Sequence, residues 1–143
     1  MAFAFEKLQV YQKAITFADA ICTLTRELPR GYFFLGDQLN RAALSIAANI
    51  AEGNGRFTKA DRRNFFGIAR GSVQECVPLL ELAARQKLLL PDQHQRLKAD
   101  LEEIARMLSG LINGLDKRHS PLAAATEQAN SEKGEQAKRR VPR

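Results

Sequence analysis

Apolar residues recur every three or four positions in four stretches of the chain, which is the spacing of one buried face on an amphipathic helix. The first stretch predicts a helix from about Phe5 to Leu28, ended by Pro29 and Gly31. Its apolar stripe reads Leu8, Tyr11, Ile15, Ala18, Cys22 and Thr25. The second stretch ends near Gly53, and its stripe reads Leu35, Leu39, Ala42, Ile46, Ile50 and Gly53.

Two further helices complete the pattern. Thr58 and Asp61 have the spacing of a capping box, with Asp in place of the usual Glu or Gln, and predict the start of the third helix. The fourth helix is expected to begin at Pro91, and its stripe reads Leu97, Leu101, Ile104, Leu108, Leu111 and Leu115. Four helices with short connections predict an all-α fold, an antiparallel up-down four-helix bundle.

The third helix carries more apolar surface than one buried face requires. One stripe reads Phe65, Ala69, Ser72, Cys76 and Ala83, and the neighbouring one reads Phe66, Val73, Val77, Leu80 and Ala84. The helix is therefore either central to its own bundle or part of a subunit contact. Gly67 and Gly71 on the opposite face leave room for the backbone of a partner, and Pro78 predicts a kink.

Composition indicates the number of domains and the class of protein. The 143 residues suit one domain, and 45% apolar with 27% charged residues indicates a globular chain. Residues 1–118 are predicted to form the bundle, and residues 119–143, rich in Ser, Gln, Glu and Lys, a disordered basic tail. No stretch resembles a secretory signal or a membrane span, so we expect a cytoplasmic protein.

A polar stripe runs beside the apolar one on the second helix: Gln38, Arg41, Ser45, Asn49 and Glu52. Ser45 and Asn49 lie nearest the core, where an unpaired polar group costs about 1–3 kcal/mol. This polar seam is either a hydrogen-bonded network that fixes the register between helices or a groove that faces a ligand or a subunit.

The net charge of +6 is unevenly distributed along the chain. Between residues 56 and 70, five cations accompany only one acid, Asp61. Cations in the first turn of a helix oppose its dipole, so they do not serve helix stability. They are typical either of a solvated face or of a surface that attracts phosphates, and the candidate nucleic-acid-binding residues are Arg41, Arg56, Lys59, Arg62, Arg63 and Arg70. Phe65 and Phe66 are expected in the core, which leaves Phe57 and favours recognition of the backbone rather than of bases.

Nothing in the sequence predicts an enzyme. The two histidines, His94 and His119, have no spacing suited to zinc, so we expect neither a metal nor a cofactor. The turn at residues 53–55 lacks the Lys-Ser/Thr of a phosphate-binding loop.

Residues 38–53, QLNRAALSIAANIAEG, followed by Arg56, closely resemble the signature of a family of bacterial four-helix bundle proteins. These were first noticed as products of intervening sequences inside large-subunit ribosomal RNA genes, and the accessory variability proteins of diversity-generating retroelements look like distant relatives. The resemblance extends to residues 5–14, 65–72 and 106–112. The chain departs from the pattern at Asn40, where Arg is usual, at Ala47, where Pro is common, and at Pro78.

The resemblance implies a bundle that assembles as a ring, typically a homopentamer, with a role in nucleic-acid binding. We therefore expect a non-enzymatic homo-oligomer that binds the backbone of RNA or DNA through its basic surface. The alternative is a protein-protein assembly module, such as an accessory scaffold for a reverse transcriptase. Salt-sensitive binding distinguishes the first function from the second.

Overall fold

The computed structural model describes residues 3–117, and these form a four-helix bundle without any strand. The helices are α1 (Gln9–Arg26), α2 (Phe33–Asn54), α3 (Lys59–Arg85) and α4 (Pro91–Lys117). The predicted all-α, antiparallel bundle is confirmed. Among the described residues, one packed unit extends to Ile112, and the tail predicted at 119–143 lies outside the described residues.

Helix α1 differs from its prediction in its length and in which of its residues are buried. It begins at Gln9 because Leu8 is extended, and a short 3₁₀ turn, Ala4–Lys7, precedes it. Its buried residues are Val10, Ala14, Phe17, Ala18 and Ile21. The predicted stripe is confirmed only in part: Ala18 is buried and Leu8 and Tyr11 pack against the core, but Ile15 is 41% exposed and Cys22 is exposed as well.

Helix α2 occupies the centre of the bundle. All six residues of its predicted stripe are buried, from Leu35 to Gly53. It packs antiparallel to α3, because Ser45 contacts Ser72 while Gly53, farther along α2, contacts Phe66. Its other side contacts α1, where Asn40 Oδ1 accepts a hydrogen bond of 2.9 Å from the Thr25 hydroxyl.

The two apolar stripes of α3 are accounted for by the bundle itself. The helix buries Phe66, Ala69, Ser72, Val73, Cys76, Leu80 and Ala83, and it continues through Pro78. The wide apolar surface of α3 therefore packs within its own bundle, which is the first of the two alternatives that the sequence left open. A Cβ added at Gly67 or Gly71 would meet no atom within 4 Å, so that face of the helix is open.

Helix α4 closes the bundle. Pro91 is its first residue, as predicted, and Leu101, Ile104 and Leu108 of its predicted stripe are buried in the common core. An ion pair of 3.2 Å between Lys13 and Glu103 joins it to α1.

Candidate nucleic-acid interface

Four of the six candidate cations lie at the α2–α3 corner, defined here as residues 55–63. Local hydrogen bonds fix this turn: the amide of Gly55 donates to carbonyls at the end of α2, and Thr58 Oγ1 accepts a hydrogen bond of 3.1 Å from the Asp61 amide. Thr58 is therefore the N-cap of α3, as the capping-box spacing predicted. The corner is a defined turn that presents its side chains at one end of the bundle.

Arg56 is held in place on two sides. Its guanidinium forms an ion pair of 2.9 Å with Glu52, and its Cζ lies 4.5 Å from the centroid of the Phe65 ring. Both charged side chains are largely exposed, so the pair contributes little to stability. Its main effect is to position the guanidinium above a ring that would otherwise be open to solvent.

Arg62 closes the turn. Its Nε donates a hydrogen bond of 2.7 Å to the carbonyl oxygen of Arg56, and the residue is half-buried. This side chain holds the backbone of the corner as well as adding charge to it. The sequence predicted the charge but not the hydrogen bond.

Two cations of the corner, Lys59 and Arg63, share one stripe of α3 with Arg70. Lys59, Arg63 and Arg70 are separated by four and seven residues, which places them on the same side of the helix over about 16 Å. All three are exposed, and Arg70 Nε also donates to Ser109 Oγ on α4 at 2.9 Å. The stripe extends the positive surface from the α2–α3 corner along the helix.

Arg41 does not join these cations. It is exposed on the outer face of α2, eleven residues and about 16 Å before Glu52. The structure therefore brings together five of the six candidates and leaves Arg41 apart.

The polar seam is largely a structural network. The hydroxyls of Ser45 and Ser72 lie 2.8 Å apart, and Asn49 Nδ2 donates to the Ser45 carbonyl and hydroxyl at 2.8 and 3.0 Å. Gln38 is exposed, and Glu52 pairs with Arg56 instead. Ser72 is the hydrogen-bond partner of the polar seam on α3. Periodicity alone had placed Ser72 in an apolar stripe.

An open groove lies beside the α2–α3 corner, between the 3₁₀ turn that precedes α1, the end of α2 and the start of α3. Its volume is about 620 Å³, and its lining comprises Phe5, Ala48, Ala51, Glu52, Gly55, Arg56, Phe57, Thr58 and Asp61. Phe57, at the tip of the turn, is 100% exposed. The sequence left Phe57 as the one aromatic residue near the basic cluster that is not expected in the core, and the structure adds the groove beside it.

Residues 3–117 hold neither a cluster of metal ligands nor a membrane-spanning helix. No group of three or more His, Cys, Asp or Glu residues in this part of the chain is arranged to hold a metal ion. None of the described helices is long and apolar enough to cross a membrane.

Comparison with known proteins identifies the family of this chain. The family model of the 23S rRNA-intervening sequence protein matches residues 6–110. The chain is also similar to the crystal structure of a protein of unknown function from the S23 ribosomal protein family of Bacteroides thetaiotaomicron. That likeness has a TM-score of 0.69 and 30% identity, and covers 73% of this chain and 95% of the other. No curated protein is significantly similar to the chain.

Proposed function

This chain belongs to the 23S rRNA-intervening sequence protein family, as its signature residues 38–53 predicted, and we propose that it is a non-enzymatic nucleic-acid-binding protein of the bacterial cytoplasm. It assembles as a homo-oligomeric ring and binds the phosphate backbone of RNA or DNA. The contact surface is the α2–α3 corner together with the stripe of Lys59, Arg63 and Arg70.

The clustering of cations at this end of the bundle, most of them exposed, carries the proposal. The corner holds Arg56, Lys59, Arg62 and Arg63 against a single acid, Asp61. Lys59 begins α3, where its charge opposes the helix dipole. A cation placed against the local preference of the helix needs another reason to be there, and phosphate binding through counterion release supplies one. A ring would repeat this surface in every subunit and strengthen its field.

Reversing two of these charges is expected to weaken binding by about tenfold or more, because two phosphate contacts and their counterion release are lost. The variant is Lys59→Glu with Arg63→Glu, both exposed. It leaves Arg62, which holds the turn, unchanged, and Glu at the start of α3 favours the helix dipole. Affinity for a fluorescent RNA strand is measured by anisotropy at several salt concentrations.

The matched control is Lys98→Glu with Arg106→Glu on α4, which changes the net charge equally and alters residues that are also exposed. It should bind more tightly than the corner variant and show a salt dependence close to that of the wild type. Equal losses of affinity in the two variants would mean that binding depends on the net charge of the protein and not on the α2–α3 corner. Wild-type protein that binds no nucleic acid at low salt would contradict the proposed function.

The outer face of α2 and α3 supports assembly with further copies of the chain. It retains exposed apolar side chains, Leu44 at 61%, Ile68 at 44% and Leu82 at 40%. Gly71 has open space above it on the same side of α3. Ile68 lies level with about residue 49 of α2, because Ser45 pairs with Ser72 in the antiparallel register. Ile68 on α3 and Leu44 on α2 thus each leave apolar surface that a partner helix would cover.

Leu44→Glu with Ile68→Glu is expected to separate the oligomer into monomers, because a subunit contact would bury two unpaired charges. Light scattering then shows 16.0 kDa, against about 80 kDa for five copies in the wild type. The control is Ile15→Glu on α1, which is similarly exposed and should keep the wild-type mass. A wild-type mass of 16.0 kDa would contradict the ring and leave this face to a different protein, as in the accessory-scaffold alternative.

A further inference from the structure

We propose that the groove beside Phe57 receives an unpaired base of a single-stranded nucleic acid, which stacks on the Phe57 ring. The inference rests on the proposed function and adds a substrate class to it, since a duplex keeps its bases stacked inside. It also revises the expectation that recognition involves the backbone alone.

Phe57 has no part in the core. It is 100% exposed, whereas Phe66 is buried and Phe65 is half-buried beneath the Arg56 guanidinium. Leaving a Phe side chain in water instead of burying it forgoes about 1.5–3 kcal/mol. A fully exposed aromatic ring next to a basic surface is the arrangement with which proteins stack single-stranded bases while holding the backbone electrostatically.

The charges of the groove favour a neutral ring over a phosphate. Glu52 and Asp61 contribute two carboxylates, and Arg56, the one cation in the lining, is already paired with Glu52. A phosphate in the groove would face a net negative charge. A base would instead meet the apolar surfaces of Phe5 and Ala48, with carboxylate oxygens able to accept hydrogen bonds from its amino groups.

The phosphates find their partners on the other side of α3. At 3.6 residues per turn, Lys59 and Arg63 each lie about 160° around the helix from Asp61. The groove and the cations therefore flank the start of α3, which is about 10–12 Å across with its side chains. A single strand that places one base in the groove can cross the tip at Phe57 and bring its following phosphates to Lys59 and Arg63.

The test compares Phe57→Ala with wild type on a DNA strand of about 20 nucleotides, longer than the ~4–16 nucleotides that a single-strand-binding module covers. The same strand paired with its complement is the second probe. Loss of one stacked base is expected to weaken binding of the single strand by about 5- to 150-fold. Binding of the duplex should not change.

Two further variants control for structure and chemistry. Phe57→Trp keeps an aromatic surface and should retain single-strand affinity, while Phe34→Ala removes another exposed ring, at the opposite end of α2, and should have no effect. Unchanged single-strand affinity in Phe57→Ala, or an equal loss on both probes, would overturn the inference and leave the proposed function standing. A changed oligomeric mass in Phe57→Ala would make Phe57 a subunit contact and would also overturn it. Wild-type protein that binds neither probe would overturn both proposals.

Discussion

Replacing Gly53 with alanine is expected to destabilise the protein by about 1–3 kcal/mol, although alanine is the better helix former. A Cβ at this position would lie 2.8 Å from two ring carbons of Phe66 and 3.1 Å from the Cβ of Phe65. Phe66 is only 4% exposed, so its ring is enclosed by protein and has little room to move away. The helices must therefore separate, or the ring must take a strained rotamer.

Urea denaturation followed by circular dichroism measures this effect, with Gly110→Ala on α4 as the matched control. Gly110 is also within a helix, but an added Cβ there meets no atom within 4 Å. The control should gain roughly 0.5–1 kcal/mol from helix propensity alone. Gly53→Ala as stable as the wild type would show that α2 and α3 can separate without cost.

Gly53 also determines the geometry of the candidate interface. Its missing side chain lets α3 begin close against the end of α2, which places Phe65 beneath Arg56. A separation at Gly53 would shift that ring and the corner with it. We therefore regard Gly53 as the residue that connects the packing of the core to the position of the cations.

The sequence allowed α2 and α3 to be predicted more accurately than α1, for a physical reason. On α2, the residues at helical spacing are also the most apolar ones, so spacing and burial agree. On α1, two neighbouring sets share the same spacing. The buried face takes in Phe17 and Ile21 together with Ala18 of the predicted stripe, while Ile15 and Cys22 of that stripe face solvent. Periodicity gives the spacing of a buried face but not its phase.

The candidate interface, too, could be predicted from the sequence only in part. Charge clustering and the capping residue Thr58 were visible in the sequence because both are local features. The contact between Ser45 and Ser72 depends on the register of two helices, 27 residues apart along the chain. The groove beside Phe57 likewise requires Phe5 to approach the end of α2, and local pattern does not predict that approach.

Cys76 is expected to resist alkylation in the folded protein, whereas Cys22 reacts. Cys76 is completely buried, and this burial, with a smaller effect of the Glu75 charge, raises the pKa of its thiol from 9.0 to about 12. At about pH 8 its thiolate is then roughly a thousandfold rarer than that of an ordinary thiol, and the thiolate is the reactive form. Cys22 is exposed on α1. Mass spectrometry after iodoacetamide treatment should show one adduct in buffer and two in urea.

The Cys22→Ser variant isolates the buried thiol and should show no adduct until the protein unfolds.

The same pKa shift makes stability depend on pH, because between about pH 9 and 12 the unfolded chain has lost the Cys76 proton while the folded protein retains it. The free energy of unfolding should therefore fall with rising pH in this range, by up to about 1.4 kcal/mol per pH unit from this group. Lys and Tyr side chains titrate there too, so the Cys76 contribution is the difference in slope between wild type and Cys76→Ala. Rapid labelling of Cys76 in buffer, or equal slopes in the two proteins, would contradict a thiol held protonated in the core of the bundle.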